Sequence, residues 1–342
     1  MSGLEGRRVA IVGGAGFIGH HLALALVERG AEVAVVDSLQ VNNLLSIQSN
    51  ITDPERRDLY LRMINERLDL LREAGVTLVV QDARDYSALG RILEEIEPQT
   101  LVHAAAVAHA NRSNKDPFTT FDHSLRTLEN ALDFSRHSST VEHFVYFSSS
   151  MAYGDFLTPE VEETQPLEPM GIYGALKAAG ERIVIAYQQV FGLPYTIVRP
   201  SALYGPRCVS GRVGQVFIEN ALLDRPLVVR NDGGGILDFT YVDDLVAGLL
   251  LVVERPEARD EVFNLTHGAS RSIEDLAAVV GDLFPGVEII DESILGDPLM
   301  PRRGTLSVDK ARRLLGYEPE FPIERGIPEY VAWYREFAGV PA

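Results

Sequence analysis

The sequence contains a single cysteine, Cys208, one tryptophan, and far fewer basic than acidic residues. A lone cysteine excludes an intrachain disulfide framework and a cysteine cluster for metal. The formal net charge of −18 argues against sequence-independent binding of nucleic acid and against binding to an anionic membrane surface. The histidines are dispersed with no set at ligand spacing, so we expect no metal.

The chain also lacks a long apolar run. No stretch reaches membrane-spanning length, and the residues MSGLEGRR lead directly into an apolar segment with no signal peptide. We therefore expect a cytoplasmic protein with no membrane partner. With 342 residues, 46% of them hydrophobic, the chain can bury a substantial core in one large domain or two closely joined ones.

The first apolar segment breaks into closely spaced glycines within VAIVGGAGFIG, residues 9–19. Gly13 permits a tight turn, Gly16 lets the backbone approach a pyrophosphate, and Gly19 lets a helix lie close to the strand. The N-terminus of that helix then faces the anion. This pattern predicts a dinucleotide site at the start of the chain.

A second apolar segment, residues 32–36, is followed directly by Asp37, about twenty residues beyond the first glycine. A carboxylate at this position accepts hydrogen bonds from the adenosine ribose and repels a 2′-phosphate. We therefore predict NAD rather than NADP as the cofactor. The alternative is that Asp37 is a solvated strand end.

Apolar and helical segments alternate along the first half of the chain. This alternation predicts an α/β fold: a Rossmann-type, doubly wound parallel sheet with right-handed crossovers. Its strands are predicted at 8–13, 32–36, 77–81, 100–105, 143–148 and 195–199. Beyond residue 200 the chain is richer in Gly and Pro, which predicts a smaller C-terminal α/β substrate-binding domain. We assign 1–200, joined by 236–255, to the NAD-binding domain, and 201–235 with 256–342 to the substrate-binding domain.

The interval 42–75 is long for a single crossover, and its charged, leucine-bearing pattern predicts an inserted helix or helical pair. We favour a solvated helix. A lid and an oligomer contact are the alternatives.

Tyr173 and Lys177 share one face of a predicted helix, where the lysine charge favours the phenolate. A phenolate can take the proton of a sugar hydroxyl while a hydride leaves the same carbon. Ser148, Ser149 and Ser150 follow an apolar strand, so one of their hydroxyls can hydrogen-bond the reacting oxygen. The alternatives are a surface pair for Tyr173 and Lys177, and turn capping for at least two serines.

Together these motifs resemble the extended short-chain dehydrogenase/reductase family, specifically its nucleotide-sugar epimerases and dehydratases. The resemblance covers nearly the whole chain. The motifs, in family order, are GGAGFIG at 13–19, Asp37, Asp82 in QDARD, HAAA at 103–106, SSSMAYG, YGALK, RPSALYGPR at 199–207, DFTYVDDLVAG at 238–248 and the terminal RRG…LLGYEP.

The resemblance implies that Tyr173 is the acid/base, that Lys177 tunes it and binds a ribose, and that a serine assists. We prefer Ser149 for this role over Ser150. The resemblance also implies that Arg302 reaches the substrate diphosphate with its forked donors, and that the chain forms a homodimer through helices near 117–136 and 172–190. The cofactor-binding residues it implies are Gly13, Gly16, Phe17, Ile18, Gly19, Asp37, Asp82 on the adenine side, Ala83, Ala104, Ala105 and Lys177.

One departure from the family bears on the reaction. Relatives that remove water or carbon dioxide carry a glutamate two residues after the assisting serine or threonine, whereas this chain has Met151, whose thioether cannot move a proton. We therefore expect a 4-epimerase acting on a nucleoside-diphosphate hexose, with UDP preferred from the resemblance. A 4,6-dehydratase, a 4-ketoreductase and a non-catalytic NAD-binding regulatory protein are the alternatives.

Two further departures bear on the substrate. Relatives often place an asparagine within the segment 201–203 and an arginine where this chain has Leu237, so two usual diphosphate contacts are missing. The candidates to replace them are Arg207, Arg212 and Arg302. An arginine near the sugar can also pair with a uronic carboxylate, so both UDP-hexose and UDP-hexuronate remain open. The alternative for Arg212 is an exposed loop arginine.

Overall fold

A parallel sheet of buried strands organises the fold. The computed structural model describes residues 3–41, 43–51, 53–107, 110–231, 235–293 and 299–339. Its strands are β1 (Arg8–Val12), β2 (Glu32–Asp37), β3 (Thr77–Val80), β4 (Thr100–His103), β5 (His143–Phe147), β6 (Glu160–Val161), β7 (Tyr195–Arg199), β8 (Leu203–Tyr204), β9 (Leu227–Asn231), β10 (Ile236–Leu237), β11 (Thr240–Tyr241), β12 (Glu261–Asn264), β13 (Arg271–Ser272), β14 (Ile289–Ser293) and β15 (Thr305–Leu306). Among the described residues, seven strands form one sheet in the order β12-β7-β5-β4-β1-β2-β3, with every pair parallel.

The strand order reverses direction at β1, which lies between β2 and β4. At such a reversal the crossovers leave on opposite faces, and a crevice opens outside the carboxyl ends of the strands. The six predicted strands and the Rossmann-type fold are confirmed. The prediction omitted β12, because the short segment EVFN is polar at both ends and lacks the continuous apolar run of a buried parallel strand.

Helices cover both faces of the sheet. They are α1 (Phe17–Glu28), α2 (Leu44–Asn50), α3 (Pro54–Glu73), α4 (Tyr86–Ile96), α5 (Ala110–Lys115), α6 (Pro117–Phe121), α7 (Thr127–His137), α8 (Gly171–Phe191), α9 (Val213–Leu222), α10 (Val242–Glu254), α11 (Ile273–Leu283), α12 (Asp309–Leu315) and α13 (Ile323–Ala338). A 3₁₀ turn at Ser150–Ala152 follows β5. Within the described part of the chain, no helix combines the length and the apolar character that crossing a membrane would require.

Alternate residues of β1 pack into different cores because successive side chains of a strand point to opposite faces. Val9 and Ile11 belong to the core that α1 and α10 cover. Ala10 and Val12 belong to the core under α4, α7 and α8. α10 packs against α1. The domain boundaries, with the return of 236–255 to the NAD-binding domain, stay a prediction.

A third core lies in the C-terminal half, among α9, α11 and α13, and the inserted helix α3 packs into it. Tyr60, Met63 and Ile64 of α3 are buried there. Their spacing forms an apolar stripe on one face of the helix, which the many charged residues of the other face obscure in the sequence. The prediction of a solvated helix is therefore wrong for α3. Residues 42 and 52 of the predicted interval lie outside the described residues.

Candidate active site

A cleft of about 410 Å³ opens at the carboxyl edge of the sheet. Its walls come from the turn after β1, the segments that follow β2 to β5 and β7, and the start of α8. Most of the predicted site residues line it: Gly13, Gly16, Phe17, Ile18, Gly19, Asp37, Asp82, Ala83, Ala104, Ala105, Ser149, Ser150, Tyr173, Lys177 and Arg212. The fold thus brings these residues, which are scattered along the sequence, to one place.

The turn between β1 and α1 requires glycine at two positions. Gly13 has a φ of +83°, and a Cβ on it would lie 2.6 Å from the backbone nitrogen of Ala105. A Cβ on Gly19 would lie 2.5 Å from the Cα of Gly14. The turn therefore packs against the segment after β4 with bare backbone, and the N-terminus of α1 is exposed to the cleft.

Two carboxylates line the cleft where β2 and β3 end. Asp37 accepts hydrogen bonds from the backbone nitrogens of Ala15 at 3.0 Å and Leu39 at 2.8 Å. Burial raises the pKa of Asp37, and these hydrogen bonds oppose the shift. Asp82 pairs with Arg84 at 2.6 Å, and the hydrogen bonds from Arg84 hold its pKa below the usual range. We call this region, with Ala83, the acidic end of the cleft.

Arg67 of α3 reaches the cleft beside the glycine turn, and the sequence reasoning missed it. Its side chain is fully buried, its Nε donates to the carbonyl oxygen of Arg207 at 3.0 Å, and its Nη1 has no hydrogen-bond partner. Burial lowers the pKa of Arg67 to about 10, and the charge of Asp37 raises it. Burial, and then the charges of neighbours that include Arg67, lower the pKa of His20, which bonds to the carbonyl of Gly16.

Tyr173 lies in the first turn of α8, and Lys177 lies one turn later. Burial raises the pKa of Tyr173, while a hydrogen bond with Ser149 and the charges of Arg212 and Arg303 lower it. Lys177 Nζ donates to the carbonyl oxygen of Phe147 at 2.5 Å and lies 6.0 Å from the centroid of the Tyr173 ring. Burial lowers the pKa of Lys177 to about 8.

This geometry corrects one expectation. Lys177 is directed at a backbone carbonyl rather than at the phenol, so the cations that favour the phenolate in this structure are Arg212 and Arg303.

The three serines after β5 have three different partners. Ser148 donates to the buried carboxylate of Glu181, which pairs with Arg199 at 2.6 Å. Ser149 hydrogen-bonds the phenol of Tyr173 and caps the following 3₁₀ turn. Ser150 accepts from Arg303 at 2.5 Å. Of the three, Ser149 is therefore the serine placed beside the tyrosine.

Arg303 lines the cleft beside Ser150, which follows β5, whereas the acidic end follows β2 and β3, on the other side of β4 and β1 in the sheet. Its Nη2 donates to Ser150 Oγ at 2.5 Å and to Ser201 Oγ at 3.2 Å, and its Nη1 lies 2.7 Å from the sulfur of Met151. Its Nε is buried and has no hydrogen-bond partner. Burial, and then the nearby charge of Arg212, lower the pKa of Arg303 to about 10. We call Arg212 and Arg303 the basic end of the cleft.

The structure does not place Arg302 in the cleft. Its side chain is 75% exposed and pairs with Asp155 at 3.1 Å. In an extended segment adjacent side chains point to opposite sides, and here Arg303 is the one that faces inward. The expectation that Arg302 reaches a substrate diphosphate is therefore wrong.

Arg207 also lies outside the described lining of the cleft. Its Nε donates to His20 Nε2 at 3.0 Å, and it pairs with Glu66 of α3 at 3.6 Å. Its guanidinium thus holds the inserted helix against α1, and only Arg212 of the three predicted arginines lines the cleft. No group of three or more His, Cys, Asp or Glu side chains within the described ranges is placed to hold a metal ion.

Comparison with known proteins gives consistent matches over most of the chain. The model of the NAD dependent epimerase/dehydratase family matches residues 9–266. An uncharacterised UDP-glucose epimerase of Bacillus subtilis is 27% identical, over 95% of this chain and 97% of its own. UDP-glucuronate 4-epimerase 2 of Arabidopsis thaliana is 26% identical, over 96% of this chain and 76% of its own.

Solved structures agree with these matches. The UDP-glucose 4-epimerase of Thermus thermophilus, solved with NAD, superposes with a TM-score of 0.80 at 27% identity, covering 96% of this chain and 99% of its own. A dTDP-glucose 4,6-dehydratase of Streptomyces venezuelae, also solved with NAD, has a TM-score of 0.80 at 25% identity, covering 97% and 98%. Both epimerases and dehydratases thus share this architecture.

Proposed function

The chain belongs to the NAD dependent epimerase/dehydratase family, and from that premise we propose that it is an NAD-dependent 4-epimerase of a UDP-hexose or UDP-hexuronate. The observation that carries the proposal is the group around Tyr173: a phenol hydrogen-bonded to Ser149, with Met151 where a dehydratase needs an acid. The carboxylates among the described lining residues are Asp37 and Asp82, both at the opposite end. Among the described lining residues, the cleft therefore has an acid/base for an oxygen and no carboxylate beside it to act on C5.

The residues present fit NAD. Gly13 leaves a cradle that a Cβ would fill, and the Nη1 of Arg67 is a buried donor without an acceptor beside it. The glycine turn and Arg67 would hold the pyrophosphate, because a helix N-terminus and a guanidinium both suit phosphate oxygens. Asp37 would hold the adenosine ribose, Asp82 and Ala83 the adenine side, and Lys177 the second ribose. Bound there, NAD supplies reversible transfer of a hydride at the sugar C4.

The protein's own groups handle the proton. Tyr173 takes the proton of the 4-hydroxyl, and Ser149 holds the reacting oxygen by hydrogen bond. Arg212 and Arg303 favour the phenolate by their charge. Once the 4-keto sugar has turned over in the cleft, the hydride that NAD would hold returns to the opposite face of C4, and Tyr173 returns the proton to the 4-oxygen. The addition of the hydride to the other face inverts C4.

The assembly we propose is a cytoplasmic homodimer that serves carbohydrate biosynthesis. Large apolar side chains are exposed on two of the predicted interface helices: Phe118 and Phe121 on α6, and Val190 and Phe191 on α8. Large apolar side chains exposed on these helices support a contact surface between proteins. Sedimentation of the purified protein tests the dimer.

Proton NMR of the purified protein in deuterated water, without added cofactor, tests the reaction. The panel is UDP-glucose, UDP-N-acetylglucosamine and UDP-glucuronate. We expect inversion at C4 without uptake of deuterium on carbon. A keto product or deuterium at C5 would contradict the argument from Met151 and establish a dehydratase, and no turnover in protein that retains NAD would favour a ketoreductase or a regulatory protein.

A further inference from the structure

We propose that Arg303 binds a carboxylate on C5 of the sugar, so that the substrate is a UDP-hexuronate rather than a neutral UDP-hexose. This inference rests on the proposed function, since it assumes that the sugar reacts beside Tyr173. It assigns a specificity residue that the sequence motifs did not indicate, next to Arg302, whose guanidinium faces away from the cleft.

The position of the guanidinium identifies which part of a sugar it meets. Arg303 Nη2 bonds to Ser150, which follows the serine that hydrogen-bonds the Tyr173 phenol. A hexose whose 4-hydroxyl is at Tyr173 therefore presents the substituents of C3 and C5 to this wall. The diphosphate is attached at C1, on the opposite side of the pyranose ring. Of the two near substituents, only the one on C5 is an ionisable group in a hexuronate.

No carboxylate among the described residues forms an ion pair with Arg303, although the charge of the buried Asp238 raises its pKa. Its hydrogen-bond partners are the hydroxyls of Ser150 and Ser201 and the sulfur of Met151, all uncharged, and no ion pair among the described residues involves it. The guanidinium of Arg303 is half-buried in the wall of the cleft, and a charge that is partly withdrawn from water without a counter-ion costs free energy. An anionic ligand relieves this cost, whereas a neutral hydroxymethyl group on C5 does not.

The geometry of the donors agrees with a carboxylate. Nε of Arg303 is buried and has no acceptor, although it belongs to the fork that matches two carboxylate oxygens. A second cation, Arg212, lies near enough to lower the pKa of Arg303. The carboxylates among the described lining residues lie at the acidic end, and the buried Asp238, whose charge raises the pKa of Arg303, is hydrogen-bonded to Thr266 and to the backbone nitrogens of Gly268 and Leu306.

Binding of three ligands to the NAD-loaded protein, measured by calorimetry, tests the inference. The ligands are UDP, UDP-glucose and UDP-glucuronate, and the variants are Arg303→Gln, Arg303→Lys and, as the matched control, the solvent-facing Arg302→Gln. We expect the wild type to bind UDP-glucuronate more tightly than UDP-glucose. In Arg303→Gln, the affinity for UDP-glucuronate should fall on the order of 10- to 100-fold, which is the usual effect of losing a charge-assisted pair.

The remaining outcomes separate the possible roles of Arg303. In Arg303→Gln, the affinities for UDP and for UDP-glucose should change by less than about threefold. Arg303→Lys should recover part of the lost affinity for UDP-glucuronate, and Arg302→Gln should bind all three ligands as the wild type does. Equal weakening of all three ligands would overturn the inference, because Arg303 would then bind the diphosphate. Tighter binding of UDP-glucose than of UDP-glucuronate by the wild type would also overturn it.

Turnover distinguishes failure of this inference from failure of the proposed function. Inversion at C4 of UDP-glucose, with UDP-glucuronate neither bound nor converted, overturns the inference and leaves the epimerase intact. Binding of UDP-glucuronate that depends on Arg303, without inversion of any sugar, supports the carboxylate site and overturns the epimerase. Bound NAD, measured by absorbance, shows that each variant is folded.

Discussion

The two ends of the cleft carry opposite charge. The acidic end, with Asp37 and Asp82, offers acceptors for ribose hydroxyls and repels phosphate. The basic end, with Arg212 and Arg303, lies beside Tyr173 and offers donors for an anion. A long ligand with hydroxyls at one end and negative charge at the other fits in one orientation only. The difference between the ends thus selects the order in which cofactor and substrate lie along the cleft.

The two ends also have different origins in the sequence. Asp37 ends β2 and Asp82 lies just beyond β3, so each follows directly from the strand that delivers it. Arg212 and Arg303 lie far apart in the chain, in segments outside the central sheet. Arg67, between the two ends, comes from the inserted helix α3. A substitution at one end of the cleft tests whether binding or turnover at the other end changes.

The largest effect is expected from Tyr173→Phe, which removes the proton acceptor and keeps the ring. The rate of C4 inversion should fall by roughly 10²- to 10⁴-fold, the usual contribution of general acid–base catalysis. NAD binding should change little, because the acidic end and the glycine turn are untouched. NMR of UDP-sugar conversion measures the rate of C4 inversion, and absorbance measures the amount of bound NAD. Retained turnover would mean that Tyr173 is not the acid/base.

A smaller effect is expected from Arg67→Met, which removes the buried donor beside the glycine turn. If Arg67 binds the pyrophosphate, the affinity of cofactor-free protein for NAD should fall by roughly 10- to 100-fold. Titration calorimetry with NAD measures this without any turnover. Arg72→Met is the matched control, since Arg72 is an exposed arginine of the same helix that pairs with Asp69. Equal affinity in the two variants would contradict a role for Arg67 in binding NAD.

The acidic end itself is tested by Asp37→Asn, which removes one charge, keeps the size of the side chain and replaces one of the two oxygens that accept from Ala15 and Leu39 with an NH2 group. The preference of the Asp37→Asn variant for NAD over NADP should be about tenfold lower than that of the wild type, because the variant has no carboxylate to repel the 2′-phosphate. Calorimetry with both cofactors gives the ratio. UDP-sugar affinity should be unchanged, because Asp37 lies at the other end of the cleft. An unchanged ratio would return Asp37 to the interpretation of a strand end held by the amides of Ala15 and Leu39.

Much of the fold was predictable because buried parallel strands are continuous apolar runs, and the glycine turn, Asp37 and the tyrosine–lysine pair occupy positions relative to those runs. β12 was missed because its short sequence lacks such a run. Arg67 was missed for a related reason: in a charged helix, an arginine on the buried face resembles its exposed neighbours in sequence. Local pattern shows which residues a helix contains, and packing decides which of them enter the cleft.

Local sequence also could not show which of Arg302 and Arg303 faces the cleft, for a different reason. Two contacts with a distant segment orient this pair: the backbone nitrogen of Arg302 donates to Asp155 at 2.8 Å, and its carbonyl accepts from Phe156 at 2.9 Å. Pairing of β15 with β6 continues the same alignment. The inward arginine is therefore set by contacts across about 150 residues of chain, which the pattern RRG alone does not contain.

The smallest effect on either end is expected from His143→Gln, since His143 lies at the start of β5, away from the carboxyl edge. Burial lowers the pKa of His143 to about 3, and its ring bonds to Thr196 Oγ1 at 2.8 Å. The unfolded chain, with a histidine pKa near 6.5, binds one more proton between these values. The free energy of unfolding therefore falls as the pH falls below 6.5, by up to about 1.4 kcal/mol per pH unit for this group.

His20, His21 and His103 are also buried with lowered pKa values, about 3 for His21 and His103, so they add to this dependence of stability on pH in the wild type. In His143→Gln, urea unfolding between pH 5 and 6.5 should show a slope shallower by up to about one proton, while the other buried histidines keep the remainder. Binding of NAD and of UDP-sugar should match the wild type. An unchanged slope would mean that His143 is protonated in the folded protein, and an altered ligand affinity would mean that burial far from the cleft is coupled to its two ends.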